Sequence, residues 1–496
     1  MTNDRVVPGA SSAGHLTRRS LVRTAGLSAL ALSAGGLGIL TSPAAAAPLP
    51  ADPGSGDTNA VLPGRDVIVV GAGYAGVVAA RELRARGFRP VILEARNRIG
   101  GRTWTSTFQG QQVELGAQWI GPAQPLVNAE LQRYGVGTLT GTPPTRLLMP
   151  GLNGPQQVGF EAADTRYGAL MERLFEGSRD LFPQPTNPLL RSDLVSAMDS
   201  VSLRARLDQL GLSPEDRLWL SGTTAGYSGG DSNIGAYTAL AQWWALAGYN
   251  LAGYDAAMSK RIAPGMTGLL QRILTDANAE LHLNSPVAEI TDTPAGVFVT
   301  TTTGFTYYAV AAVIAVPVNV WKTIRFYPGL SAVRAQATTQ GVGVPNSSKI
   351  WMKVTGLPDR VVARGTEGDP FTTLLSQGDV SGGQIMVGFN SLPRVDGDSI
   401  PAVQAALRHF LPEASVTAVL AQDWGRDPYS LGSWALRRPG QLSTQLPAIQ
   451  APQGRLAFAT GDIASGWVGF VEGAIESGLR AAGQVAAMAG SPYAVA

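Results

Sequence analysis

The first strongly patterned stretch of the chain runs from Arg65 to Arg102 and reads RDVIVVGAGYAGVVAARELRARGFRPVILEARNRIGGR. Asp66 to Val70 is a short β-branched run, the mark of a buried strand. From Ala75 to Arg86 the apolar Ala, Val and Leu share one face and Arg and Glu the other, which predicts a helix ended by Gly87. Pro90 to Leu93 predicts a second strand that closes on Glu94. Thr103 to Leu115 changes character around Gln109-Gly110-Gln111, as a hairpin does. Pro125 to Glu280 is mostly helical in pattern, with breaks at Pro143-Pro144, Pro183 to Pro188 and Gly226 to Gly230. Its most apolar aromatic piece is Ile234 to Leu246, from which Tyr237, Leu240 and Trp244 are expected to point into a pocket, a buried helix without ligand contact being the alternative. Ile262 to Leu270 marks a turn into a helix. Ala312 to Pro317 reads as another buried parallel strand, Gln384 to Phe389 as a strand, and Ile400 to Phe410 as a helix on a sheet.

The glycines between the first strand and the first helix carry chemistry. Gly71 lets the chain turn out of the strand, Gly73 leaves room for a pyrophosphate beside the backbone, and Gly76 lets the helix pack close to the sheet. The helix N-terminus offers free N–H groups and a partial positive charge to phosphates. Glu94, at the end of the second strand, is placed to accept from a ribose. Strand, glycine turn, helix, strand and acid in this order predict a dinucleotide site.

Composition narrows the remaining chemistry. Charged residues make up 15% of the 496, below the usual ~25%, so the interior is large relative to the surface. The formal charge of +2 argues against a nucleic-acid surface. There is no cysteine, which excludes disulfides and thiol catalysis, and only three histidines, which argues against a histidine metal cluster. Catalysis therefore rests on a cofactor or on carboxylates, lysine and tyrosine.

The N-terminus adds an address. Thr17-Arg18-Arg19-Ser20-Leu21 precedes a mildly apolar Ala/Leu/Gly stretch and the small residues Ala44 to Ala47, resembling a twin-arginine export signal with cleavage inside that run. Without residues 1–47 the balance is 34 basic against 35 acidic residues, so the apparent basicity belongs to the signal. Residues 48–64, rich in Pro, Gly and Asp, read as a flexible lead-in.

After Glu94 come Ala95, Arg96 and then Gly100-Gly101-Arg102. With the glycine fingerprint and the acid, this segment resembles the flavin-containing amine oxidase family, of monoamine oxidase-like type. The resemblance covers roughly Asp66 to Ala486, strongest at both ends and weakest between Pro143 and Tyr254. It implies an α/β fold in which a Rossmann-like FAD-binding domain, of the two-dinucleotide-binding-domain type, is interleaved with an α+β substrate domain. The expected divisions are 65–121, 262–330 and 450–490 for FAD, and 122–261 and 331–449 for substrate.

On the same resemblance, FAD is held by Gly71, Gly73, Ala75, Gly76, Glu94, Ala95, Arg96, Gly101 and Arg102. Gly116, Ala117, Gln118 and Trp119 pass beside the flavin ring, Val287 lies by the adenine, and Gly461, Asp462 and Val471 complete the site. Ser433 stands where some relatives carry a flavin-linking cysteine, so the FAD is expected to be non-covalent. Trp119 stands where amino-acid oxidases hold a carboxylate-binding arginine, which argues against an amino-acid substrate. Lys349 matches the lysine that holds a water at flavin N5, and Trp434 and Phe470 match two facing aromatic walls. The implied activity is oxidation of a primary or secondary amine to an imine, then an aldehyde or ketone, with electrons passed to O₂ to give hydrogen peroxide. The other readings are an L-amino-acid oxidase of the same fold and a secreted flavin-binding protein without catalysis. The expected partners are a small-molecule amine, O₂ and the twin-arginine export machinery, with no nucleic acid and a homodimer as an open option.

Overall fold

The computed structural model describes residues 59–61 and 66–489. The expected export signal lies outside the described residues. Of the expected flexible lead-in, Asn59–Val61 forms a short strand that pairs in parallel with Thr306–Tyr308, so that part is ordered by the sheet it joins.

A five-stranded parallel sheet forms the centre, in the order Glu280–His282, Arg89–Leu93, Asp66–Val70, Ala311–Ile314, Leu456–Phe458. Its strands come from regions almost 400 positions apart in sequence, so the sheet closes only when the C-terminal part of the chain returns. Strand side chains alternate between faces. Val67, Val69, Ile92, Val313 and Ala457 pack among the helices Tyr74–Ala85, Gly265–Ala277 and Val471–Ala489. Ile68, Val70, Val91, Leu93, Ala312 and Ile314 pack the other way, against a second five-stranded sheet that contributes Ile290, Val297 and Val299. Burial on both faces explains why these strands read as unbroken apolar runs.

The third sheet has seven strands in the order Ser415–Asp423, Ser348–Thr355, Gly383–Asn390, Thr373–Val380, Val361–Arg364, Arg146–Gly151, Gly154–Val158. The last two form a hairpin inside the region read as mostly helical. Leu147, Leu148 and Met149 are buried in succession there, and a short apolar run bounded by proline and glycine has no period of its own to reveal it. The helices Phe160–Leu174, Pro214–Tyr227 and Tyr237–Leu246 follow as expected.

Two close approaches fix the first helix. A Cβ on Gly76 would lie 2.0 Å from the Gly71 carbonyl oxygen and 3.1 Å from Val69 and Ala315 side-chain carbons. A Cβ on Gly478 would lie 2.5 Å from the Ala75 carbonyl oxygen, so the small residues of the C-terminal helix pack on the first helix as well as on the sheet. Gly76→Ala has no flexible neighbour to displace. It is expected to cost about 3 kcal/mol or more, read as a lower urea midpoint together with loss of bound cofactor.

Candidate active site

A cavity of about 750 Å³ opens at the carboxyl ends of the parallel strands, where Val70, Leu93, Ala315 and Thr460 stand in its wall, and extends to the seven-stranded sheet. The carboxyl edge of such a sheet is where ligands bind.

One half is built from backbone. Gly71 has φ +107° and turns the chain into the first helix, which begins at Tyr74 with Gly73 as its N-cap and no side-chain cap. The N–H groups of Tyr74, Ala75 and Gly76 have no acceptor among the described residues, although Tyr74 and Ala75 are buried. No acidic residue lies in this first turn. Buried donors without partners are costly, and the combined helix-end charge fits an anion such as a pyrophosphate. Gly101 faces Gly73, a Cβ there lying 3.7 Å from the Gly73 Cα, so two glycine runs form the cradle. Glu94 is buried and accepts from Ala72 N at 2.8 Å and Arg96 N at 2.9 Å. Each carboxylate oxygen keeps a further lone pair for a ribose hydroxyl.

Arg96 and Arg102 tie this half to the rest. The Arg96 guanidinium donates to Asp427 and Ser430 and lies over the Tyr429 ring. Arg102 donates to Ser433 O at 2.8 Å and Asp462 Oδ1 at 2.6 Å. A Cβ on Gly116 would meet Arg102 O at 2.0 Å, so the 116–119 segment runs directly against this arginine's backbone.

The other half is built from side chains. Lys349, on the strand Ser348–Thr355, is buried and donates from Nζ to Gly116 O at 3.1 Å and Gln118 Oε1 at 2.6 Å. Its Nζ lies 5.0 Å from the Trp119 ring centre and 5.7 Å from that of Phe389. Trp434 is anchored through Nε1 to Tyr227 O at 2.9 Å. Ring contacts run from Trp434 to Tyr227, Trp243 and Phe470, with centroid separations of 6.5, 5.3 and 5.0 Å. The loops carrying Trp434 and Phe470 touch through backbone, since a Cβ on Gly469 would lie 2.5 Å from Ala435 O. All four rings line the cavity.

The wall contains Lys349, Trp434 and Phe470 and every expected cofactor residue except Gly76 and Asp462. Gly76 serves packing. Asp462 is buried and turned away, its Oδ2 accepting from Val318 N at 2.9 Å, so it positions Arg102 and does not reach the cavity. Tyr237 and Leu240, expected in the substrate pocket, are fully buried elsewhere, as is Trp244. The Tyr237 hydroxyl donates to Glu176 O, and Trp244 packs on Phe175 and Tyr254. Their helix is buried all round, its polar Thr238 and Gln242 included, so burial marks no face for the cavity, and the residue it presents is Trp243. Tyr167, Tyr227, Tyr254, Asp255 and Arg364 also line the cavity and were not anticipated, because they converge only through tertiary contacts.

A family model described as flavin containing amine oxidoreductase matches residues 74–486. The chain belongs to this family. It is 33% identical to the pseudooxynicotine dehydrogenase of a Pseudomonas species, over 85% of this chain and 86% of that one. It is also 33% identical to the nicotine dehydrogenase of Pseudomonas putida, over 85% and 88%. Among solved structures, putrescine oxidase bound to putrescine superposes with a TM-score of 0.71 at 23% identity, covering 86% of this chain and 100% of that chain. The fold is thus that of the FAD-dependent amine oxidases, and the chain is a flavin amine oxidoreductase with the expected mixed α/β architecture.

Burial pushes the Lys349 ammonium down to about 7, opposed by the Glu114 carboxylate and assisted by Arg261. Glu114 is itself raised by burial; its Oε1 accepts from Thr105 and Met266 N, while its Oε2 has no partner. Because the folded pKa of Lys349 lies below the unfolded value of 10.5, the folded state binds fewer protons between the two. Stability from this group therefore rises with pH across that window, and its cost is fully present below it. Lys349→Met should gain stability over the parent by more at about pH 6 than at about pH 10. Urea unfolding at both values checks it, and equal gains would contradict the effect of burial.

Proposed function

We propose that this flavin amine oxidoreductase binds FAD without a covalent link, oxidises a primary or secondary amine and passes the electrons to O₂. The observation that carries this reading is the single cavity that joins a helix end with free N–H groups to a ring-lined pocket containing a buried lysine. Named relatives acting on nicotine, pseudooxynicotine and putrescine support an amine as substrate. Ser433 stands in the wall with its hydroxyl toward Val344 O, which supports non-covalent binding.

Bound flavin supplies the two-electron acceptor chemistry. The Tyr74 to Gly76 N–H groups would hold its pyrophosphate and Glu94 its ribose. The protein's own part in the reaction is desolvation and placement. Trp243, Trp434, Phe470 and Tyr227 form a wall that excludes water, which favours the uncharged amine needed for reaction. Burial lowers the Lys349 pKa to about 7, so its ammonium gives up a proton more readily than an exposed lysine's and repels a substrate cation less. Two of its hydrogens go to Gly116 O and Gln118. A water can take the remaining position and exchange a proton at Nζ.

Anaerobic addition of amines is expected to bleach a yellow holoprotein, and acid precipitation to release the flavin into solution. Admitting air should restore the colour with one peroxide per amine, and Lys349→Met should slow that recovery about 100-fold. Failure of every amine to bleach the flavin would overturn the proposal. A second reading of the acceptor follows from the two relatives at 33% identity, both named dehydrogenases. Slow recovery in air with fast dye reduction would favour an electron carrier in place of O₂.

We further propose export by the twin-arginine route and cleavage within Ala44–Ala47, supported by the pattern around Arg18 and Arg19. Replacing both arginines by lysine is expected to retain uncleaved protein inside the producing cell, read by fractionation and N-terminal sequencing.

A further inference from the structure

The cavity has a second end that the reaction does not use. Cross-strand pairing places Lys349 opposite Phe389, Phe389 opposite Thr373, and Thr373 opposite Arg364. Residues paired in register share a face of the sheet, and all four line the cavity. Three strand steps of ~4.8 Å separate the ends of this row by about 14 Å.

Arg364 closes the row in an unusual state. Its guanidinium lies among Tyr167, Tyr227, Tyr254 and Asp255, with its carbon 5.7 Å from the Tyr167 ring centre. It makes no side-chain hydrogen bond or ion pair among the described residues. The buried arginines 81 and 437 are satisfied by Glu130 and by Gln242 and Ala464 O. Burial alone would lower the Arg364 pKa, but Tyr167, Asp255, Tyr227 and Tyr254 overcome it and the cation is kept. Asp255 also lacks a side-chain hydrogen bond, and burial pushes its carboxyl up to about 7 against the pull of Arg364. The buried Tyr254 hydroxyl has no hydrogen-bond partner; that of Tyr227 is near enough to perturb its ionisation but outside bonding geometry. Arg364, Asp255, Tyr167, Met258, Trp119 and Leu375 are shared with an adjoining cavity of about 190 Å³, so this cluster stands at the junction of two chambers.

We propose that Arg364, with Asp255 and Tyr254, selects substrates by receiving an uncharged or anionic hydrogen-bond acceptor at the end of the amine remote from the reacting carbon. This rests on the amine-oxidising reading above. A fixed cation with free donors, half-buried in the wall where the two cavities meet, is matched by a carbonyl, carboxylate or ring nitrogen. A second ammonium would meet Arg364 as a like charge in a low-dielectric chamber. Asp255 and Asp164 offset that only in part, because burial raises both.

The test uses holoprotein and four amines of equal chain length: octylamine, octane-α,ω-diamine, ω-aminooctanamide and ω-aminooctanoate. Half-saturation and limiting rate are read from anaerobic flavin reduction. The amide and the carboxylate are expected to half-saturate at concentrations about tenfold or more below octylamine and the diamine. Arg364→Met should remove that advantage while leaving the limiting rate with octylamine within about threefold of the parent. Arg364→Lys should restore part of the advantage for the carboxylate. Preference of the parent for the diamine, equal half-saturation for all four, or an equal loss with octylamine in Arg364→Met would overturn the assignment. The ranking in the parent needs no variant to fold. Failure of all four amines to reduce the flavin would instead count against the amine-oxidising reading itself.

Discussion

The Arg102–Asp462 ion pair holds the two halves of the site against each other. Asp462 is shielded from solvent, and a buried pair of this kind is stable only when its remaining hydrogen-bonding positions are filled. Here they are: Val318 N–H donates to the second Asp462 oxygen, and Arg102 donates also to Ser433 O and Thr460 Oγ1. Four separated stretches of chain therefore meet at one charge pair. They are the glycine cradle after Glu94, the turn before Trp321, the loop carrying Trp434 and the loop carrying Phe470. Loss of Arg102 alone would leave the Asp462 carboxylate stranded in the interior, so the cradle and the ring-lined wall are specified together.

That coupling explains which parts of the site could be read from sequence. The cradle is local: strand, turn, helix, strand and acid all fall between Asp66 and Arg102, and Gly71, Gly76 and Gly100 each have a steric reason at their own position. The substrate end is not local. Tyr167, Asp255 and Arg364 come from a helix, a helix end and a sheet strand far apart in sequence. None has a motif, and Arg364 looks like an ordinary charge ending an apolar strand. The misassigned Tyr237 and Leu240 fail for a related reason, since a helix buried on every side gives no periodic clue to the face that meets a cavity. The hairpin Arg146–Gly151 with Gly154–Val158 was missed because its apolar run is too short to show a period, and its sheet partners lie some 200 residues away.

Two cations on one sheet row show how burial is resolved in opposite ways. Lys349 has two hydrogen-bond acceptors and aromatic faces around it, yet burial outweighs them and lowers its pKa to about 7. Arg364 sits among phenols and a carboxyl, and its delocalised charge survives the same desolvation. The difference lies in side-chain chemistry as much as in depth, and it gives the cavity a nearly neutral end and a charged end.

The two halves also differ in how freely they can change. Backbone N–H groups and glycine contacts make the cradle, and a side chain added at Gly71, Gly76, Gly100 or Gly116 would collide with main chain, at 2.8, 2.0, 2.4 and 2.0 Å. The substrate wall is a row of side chains, Lys349, Phe389, Thr373 and Arg364, standing on a ladder whose hydrogen bonds use only the main chain. Any member of that row can be exchanged without touching the ladder beneath it. A fold arranged in this way keeps one cofactor geometry while its substrate range varies position by position, so that likeness in the cradle identifies the reaction and the row of side chains decides which amine undergoes it.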